Sequence, residues 1–174
     1  MLKNPPPYTA VIDSPIGAIG VVTDAGVLVG LDFAAGKELL SPGDAFGTEV
    51  ARQVAAYFAD PGFRFDLPFR EQGTEFQKKV WAALRTIPRG GPVSYGELAR
   101  RLGTAARAVG GACRANPIPL LTPCHRVVSA SGIGGFHGDA QGGWVNAKHW
   151  LLAHERGERP ASLPIQQQVT RQLV

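Results

Sequence analysis

Residues 8–33 alternate short β-branched runs with turn residues. YTAVIDSPIG, AIGVVTDAG and VLVGLDF are broken at Ser-Pro, Asp-Ala-Gly and Gly, the pattern of a meander of hairpins. Over 44–60 the apolar period becomes helical, with Val50, Val54, Ala55 and Phe58 on one stripe, and Pro61 and Gly62 end it. FRFDLPF at 63–69 alternates again and predicts another strand. The first unit, residues 1–70, therefore reads as α+β, with the boundary expected in REQG at 70–73.

The second half, 71–158, opens on a start signal. Thr74 as N-cap and Gln77 three residues later form a capping box, and the helix carries Phe76, Val80, Trp81 and Leu84 up to Ile87 and Pro88. PRGGP predicts a turn. Ser94 and Glu97 suggest a second capping box, opening a short helix YGELARRL that Gly103 stops. Thr104 is the expected cap of a third helix, AARAVGGACRA, ending before Asn116 and Pro117. Two short helices across a tight turn make a helix-turn-helix pattern. IPLL and HRVV read as strands, a Gly-rich loop covers 132–143, and a last helix is expected over 146–155. The tail, 159–174, has only weak periodicity.

Length and composition add bounds. The chain has 174 residues, 44% of them apolar, enough for one ordinary domain or two small ones. No run of eighteen apolar residues suggests a spanning helix, and MLKNPPPYTA lacks the apolar core of a secretory signal, so a cytoplasmic protein is expected. Residues 1–70 carry five Lys/Arg against eight Asp/Glu, and residues 71–174 carry thirteen against six. A basic half following a mildly acidic one suggests a polyanionic partner; a basic surface serving solubility is the plainer alternative. The first half has neither Cys nor His, so the usual transition-metal ligands are missing there, and it carries almost no functional signal.

The third helix has an unusual face. On a helical wheel Ala106, Val109, Ala112 and Cys113 fall on one side; Arg107, Gly110, Gly111 and Arg114 fall on the other. Each interior glycine costs the helix about 1 kcal/mol, which suggests that something approaches closely. That something is either another helix or a nucleic acid. Major-groove readers display long polar side chains, whereas a Gly/Ala face with an arginine at each end suits a shallow groove. Cys113 reads as core.

TPCHRVV, at 122–128, sets Cys124 beside His125 in a chain with two cysteines. A cysteine nucleophile needs a neighbour that takes its proton or lowers its pKa. His125 is placed to do so and Glu155 to orient it, although adjacent residues of a strand point to opposite faces. A bridging water, or a bend at Pro123, would reconcile the two; coincidence is the alternative. His137, His149 and His154 supply no metal-ligand spacing.

PCHRVV, preceded by ARAVGGACRANPIPLL and followed by GG…K..LLAHE, resembles the O6-alkylguanine-DNA alkyltransferases, the methylated-DNA–protein-cysteine methyltransferases. TEFQKKVWAALRTIP, VSYGELA and DSPIG at 13–17 fit the same family. The resemblance implies a small N-terminal α/β domain of ribonuclease-H-like fold and a C-terminal winged helix-turn-helix domain. It implies direct reversal of DNA alkylation: O6-alkylguanine in duplex DNA, with O4-alkylthymine as a further candidate, is flipped from the minor-groove side and loses its alkyl group to the protein's own cysteine. Each molecule then acts once and without cofactor; apart from the resemblance, the sequence carries no oligomer signal, and a monomer is expected. By position, Cys124 is implied as acceptor, His125 as its base through water and Glu155 as the residue holding His125. Tyr95 would turn the nucleotide and protonate the leaving guanine. Asn116 would link recognition helix and active segment. Arg107 would fill the gap in the stack, and Arg114, Ala106, Ala108, Gly110 and Gly111 would line the DNA. Phe136, His137 and Val127 would line the guanine pocket.

Three residues also have plain structural readings: Asn116 as a helix stop, Tyr95 as the first residue of a capped helix, Arg126 as an ion-pair partner. The sequence departs from the family in a turn between Tyr95 and Arg107 about two residues short, a longer loop at 132–143, Phe136 where tyrosine is usual, and His137 where a small residue is usual. Some relatives hold zinc in the first domain; with no Cys or His there, none is expected here. A lesion-binding protein, a transcriptional regulator and a hydrolytic cysteine enzyme are the competing classes. Retention of Cys124 argues against the first, and the chain is too short for the sensing module of the second.

Overall fold

The computed structural model describes residues 7–34, 37–136 and 143–163. The predicted meander is present: β1 (Ala10–Ile12), β2 (Ile19–Asp24) and β3 (Val27–Phe33) form an antiparallel sheet in sequence order. Its register pairs Ala10 with Val21 and Val21 with Leu31, which turns their side chains to the core. Ala25 and Gly26 both take positive φ in the tight β2–β3 turn.

Helix α1 (Ala45–Ala59) starts where Asp44 accepts a bond from the Gly47 amide. Its buried stripe is Val50, Gln53, Val54 and Tyr57; Ala55, expected on that stripe, is exposed, and Tyr57 takes its place. The strand expected at 63–69 does not form. Phe63, Phe65 and Leu67 do turn inward, but the backbone of Asp66 is bonded on both sides by the Gln53 amide (2.9 and 2.8 Å), so a side chain occupies the place of a neighbouring strand. Only a bridge from Leu28 to Phe69 reaches the sheet.

Helix α2 (Glu75–Thr86) has the capping box in full. Strand β4 (Val93–Ser94) leads into α3 (Tyr95–Leu102), whose Ser94 cap is present but whose box is not: the Glu97 carboxylate pairs with Arg101 one turn on. Gly103 ends α3 in the left-handed region, and the Thr104 amide bonds back to Ala99. Thr104 thus closes α3 rather than capping the next helix; α4 (Ala106–Arg114) begins from Ala105 with no side-chain cap. Neither IPLL nor the start of HRVV is a strand. Residues 118–121 are turns, Cys124–Arg126 is one 3₁₀ turn, and only β5 (Val127–Val128) is extended, parallel to β4. Helix α5 (Gly143–Glu155) already includes the three residues before the expected start.

One continuous core joins both halves. Val21, Leu28 and Tyr57 from the first pack in the same cluster as Trp81, Ile118 and Leu151 from the second. The Leu31 amide also donates to the Pro117 carbonyl at 2.9 Å, which anchors β3 to the segment leading to Cys124. Of the tail, residues 159–163 are described: Leu163 packs on the core and Ala161 accepts from the Trp150 indole. No described helix is long and apolar enough to cross a membrane.

Candidate active site and nucleic-acid face

Cys124 is set by a bend, not a strand. Pro123 sits at φ −81°, ψ 70°, and the Cys124 amide bonds to the Thr122 carbonyl at 2.8 Å, which is an inverse γ-turn. The chain then enters the 3₁₀ turn Cys124–Arg126, so Cys124 and His125 do not alternate across a sheet. Leu120, buried with φ +76°, bends the approach further, at a cost of about 1–3 kcal/mol for a residue other than glycine.

Asn116 holds this bend closed. Its side-chain amide donates to the Thr122 carbonyl (2.7 Å) and to the Cys124 sulfur (3.3 Å), while its oxygen accepts from the Ile118 amide. The simple helix-stop reading of Asn116 therefore falls short. From the other side, Arg85 and the Thr122 hydroxyl both donate to Glu71, at 2.6 and 2.8 Å. Glu71 belongs to the segment expected only to link the two halves.

His125 and Glu155 are both buried, with Nε2 2.9 Å from Oε1. Arg126 clamps the same carboxylate through Nε (2.8 Å) and Nη2 (2.8 Å) and reaches the Ile87 carbonyl, which confirms it as an ion-pair partner. Burial pushes the Glu155 carboxyl up, but the bonds and charges of His125 and Arg126 outweigh it and hold the group well below the carboxylate range. Burial lowers the His125 imidazole below its ordinary 6.5, against the pull of Glu155. A neutral imidazole facing an ionised carboxylate keeps its proton on Nε2. Its Nδ1 is then an unprotonated base, and among the described residues that buried atom meets no partner.

Two groups given no role in the sequence analysis complete the site. Tyr57, from α1, donates its hydroxyl to Glu155 Oε1 at 3.0 Å, so the first half does contribute. Lys148 is fully buried on α5; its ammonium donates to the carbonyls of Val127 (2.7 Å) and Gly135 (3.0 Å). Burial lowers Lys148 to about 8, opposed by the nearby thiols of Cys124 and Cys113. Burial likewise pushes the Cys124 thiol up; the Asn116 bond and the Lys148 charge act against it. A lysine inside an apolar helix was the available sign; Tyr57 had none, because its partner lies 98 residues away.

Tyr95 begins α3 half-buried, its hydroxyl 3.4 Å from the Gly135 carbonyl and its ring 5.7 Å from the Lys148 nitrogen. Burial raises its phenol, so it stays protonated. Phe136 is buried edge-on to Phe33 and beneath the same lysine, and Val127 is wholly buried. His137 lies outside the described residues. On α4, Arg107, Gly111 and Arg114 are exposed, and Ala108 and Gly110 are half-buried. Ala106, the first residue of the helix, is exposed too, not on the buried side as the wheel suggests. A Cβ at Gly111 would meet nothing within 4 Å, and at Gly110 only the Tyr95 ring at 4.0 Å. Among the described residues, therefore, no helix packs closely on Gly111, and only the Tyr95 ring of α3 comes near Gly110. Cys113 is core.

The arrangement can deprotonate a buried thiol and present it beside a flat, arginine-flanked surface. Residues 75–157 match the family model of the 6-O-methylguanine DNA methyltransferase DNA-binding domain. The chain is 42% identical to a methylated-DNA–protein-cysteine methyltransferase of Mycolicibacterium paratuberculosis, over 88% of this chain and 95% of that one. It is 43% identical to one of Methanosarcina acetivorans, over 72% and 85%. Among solved structures, the O6-methylguanine methyltransferase of Mycobacterium tuberculosis matches with a TM-score of 0.73 at 39% identity, over 87% and 93%. The same organism's OGT in complex with DNA matches with a TM-score of 0.72 at 39% identity, over 90% and 97%. The mixed α/β fold is the one these proteins share, and the chain belongs to the methylated-DNA–protein-cysteine methyltransferase family.

Proposed function

We propose that this protein repairs O6-alkylguanine in duplex DNA by moving the alkyl group onto Cys124. The observation that carries the reading is the junction at Cys124: a buried sulfur, an amide donor on it from Asn116, and an adjacent His125 whose free Nδ1 is backed by Glu155. The thiol proton passes through a water to Nδ1. The thiolate attacks the alkyl carbon, the C–S bond forms and the C–O bond breaks, and guanine leaves as an anion that the Tyr95 phenol protonates. The product is a thioether that water does not cleave, so each molecule acts once and needs no cofactor.

The DNA side rests on α4. Its open Gly/Ala face lets the backbone approach the minor groove closely, with Arg107 replacing the flipped base and Arg114 on the backbone. The finer architecture we assign is a ribonuclease-H-like first domain (1–70) and a winged helix-turn-helix second domain (71–158) built on α3 and α4. Phe136, Val127 and His137 belong to the guanine pocket, and O4-alkylthymine is a candidate second substrate. We assign the protein to the cytoplasm as a monomer. The test is intact mass and peptide mapping after mixing with excess duplex carrying one O6-methylguanine. One methyl group on the Cys124 peptide and no second turnover support the reading; lesion binding with no mass gain overturns it.

A further inference from the structure

Glu155 Oε1 carries three donors: His125 Nε2, Arg126 Nη2 and the Tyr57 hydroxyl. His125 and Arg126 come from the turn that bears the acceptor. Tyr57 comes from α1, across the junction of the two halves, and nothing in the proposed chemistry uses it. Its ring is wedged between Phe58, Phe65 and His154, at centroid distances of 5.3, 5.3 and 5.5 Å, and its own carbonyl accepts from His154 Nε2 at 2.7 Å. The hydroxyl is thus aimed by packing, and the residue is buried.

A phenol on the same oxygen as the imidazole competes for that oxygen's charge. We infer that Tyr57 is a positioning residue that tunes His125 as a base through Glu155, so that the N-terminal half sets the pH range over which Cys124 is activated. This rests on the proposed alkyl transfer. With Tyr57 in place, Glu155 accepts less strongly from Nε2, the imidazolium is less favoured, and Nδ1 stays an unprotonated base to lower pH. The other charged or titratable groups facing this cluster are Arg126 on the turn, Arg89 beside Tyr57, Lys148 and His154 on α5, and Cys124 itself. None of these bonds to Oε1 except Arg126.

The measurement is the pH dependence of two rates in wild type and Tyr57→Phe: methyl transfer from O6-methylguanine duplex, and alkylation of the Cys124 peptide by iodoacetamide without DNA. In Tyr57→Phe we expect the acidic limb of both profiles to move up by on the order of one pH unit, the scale of one lost charge-assisted bond. Phe58→Leu, which disturbs the same helix contact without a hydrogen bond, should leave the limb in place. Site-specific 3-fluorotyrosine at 57, a stronger donor on an unchanged ring, should move it down, and it serves should Tyr57→Phe not fold. An unmoved limb in the folded variants overturns the inference. Failure of wild type to accept methyl overturns the proposed reaction, and the iodoacetamide profile still decides whether Tyr57 acts on Cys124.

Discussion

The side-chain amide of Asn116 bonds at once to the Cys124 sulfur, at 3.3 Å, and to the Thr122 carbonyl, at 2.7 Å. One group therefore closes the turn and stabilises negative charge on the thiol. Asn116→Ala should raise the Cys124 thiol further and leave the buried Ile118 amide without its acceptor, at about 1–3 kcal/mol of stability. Asn116→Asp should slow Cys124 more, because a carboxylate replaces the donor. Iodoacetamide rate against pH, with urea unfolding, reads both effects; equal rates in all three proteins would remove Asn116 from the chemistry.

Glu155→Gln should be severe for two separable reasons. It leaves the Arg126 guanidinium buried without its counter-charge, which costs about 3–5 kcal/mol. It also weakens the hold on His125 Nε2. A double substitution that replaces Arg126 by Met should recover stability but not transfer rate. Urea midpoints and single-turnover rates on the four proteins of that cycle give the answer.

Burial holds the folded His125 below its unfolded value of 6.5. The unfolded chain therefore takes up that proton first as pH falls. The stabilisation is fully present above about pH 6.5 and is lost progressively as pH drops below it. Urea midpoints at pH 7.5 and 5.5 should differ more in wild type than in His125→Phe. The transfer rate should fall only at lower pH, around the depressed folded value, as Nδ1 fills.

Lys148→Met should slow Cys124 alkylation by removing the nearby positive charge and freeing the Gly135 carbonyl from Nζ. Because Lys148 titrates at about 8, its help to the thiolate should fade above that pH in wild type and be absent throughout in the variant. Convergence of the two rate profiles at high pH is the expected signature.

Open space above Gly111 makes a clean test of the α4 face. Gly111→Ala should stabilise the free protein by about 0.5–1 kcal/mol, since helix propensity improves and nothing clashes. Gly111→Leu should fold yet bind duplex DNA more weakly. Arg114→Ala should weaken binding and reduce the salt dependence, read by fluorescence anisotropy at two salt concentrations. Unchanged affinity in Gly111→Leu would move the DNA elsewhere.

What the sequence determined by itself was local. The β1–β3 hairpins, the Thr74 and Ser94 caps, the Gly103 stop and the split face of α4 all depend on neighbours within a few positions. Short-range propensity and periodicity suffice there. The motif around Cys124 and His125 was legible for the same reason, as a run of adjacent residues. What only the tertiary structure decided was the environment of that motif. FRFDLPF alternates like a strand, but Gln53 pairs its backbone. HRVV reads as a strand, but Asn116 and Pro123 bend its start into a 3₁₀ turn. Tyr57 and Glu71 look ordinary in sequence, and Lys148 shows only as a lysine in an apolar helix, yet all three surround Cys124 and Glu155 once folded. A hydrogen bond across 98 residues leaves no periodic trace, because its partners are brought together by burial of the core and not by the spacing of the chain.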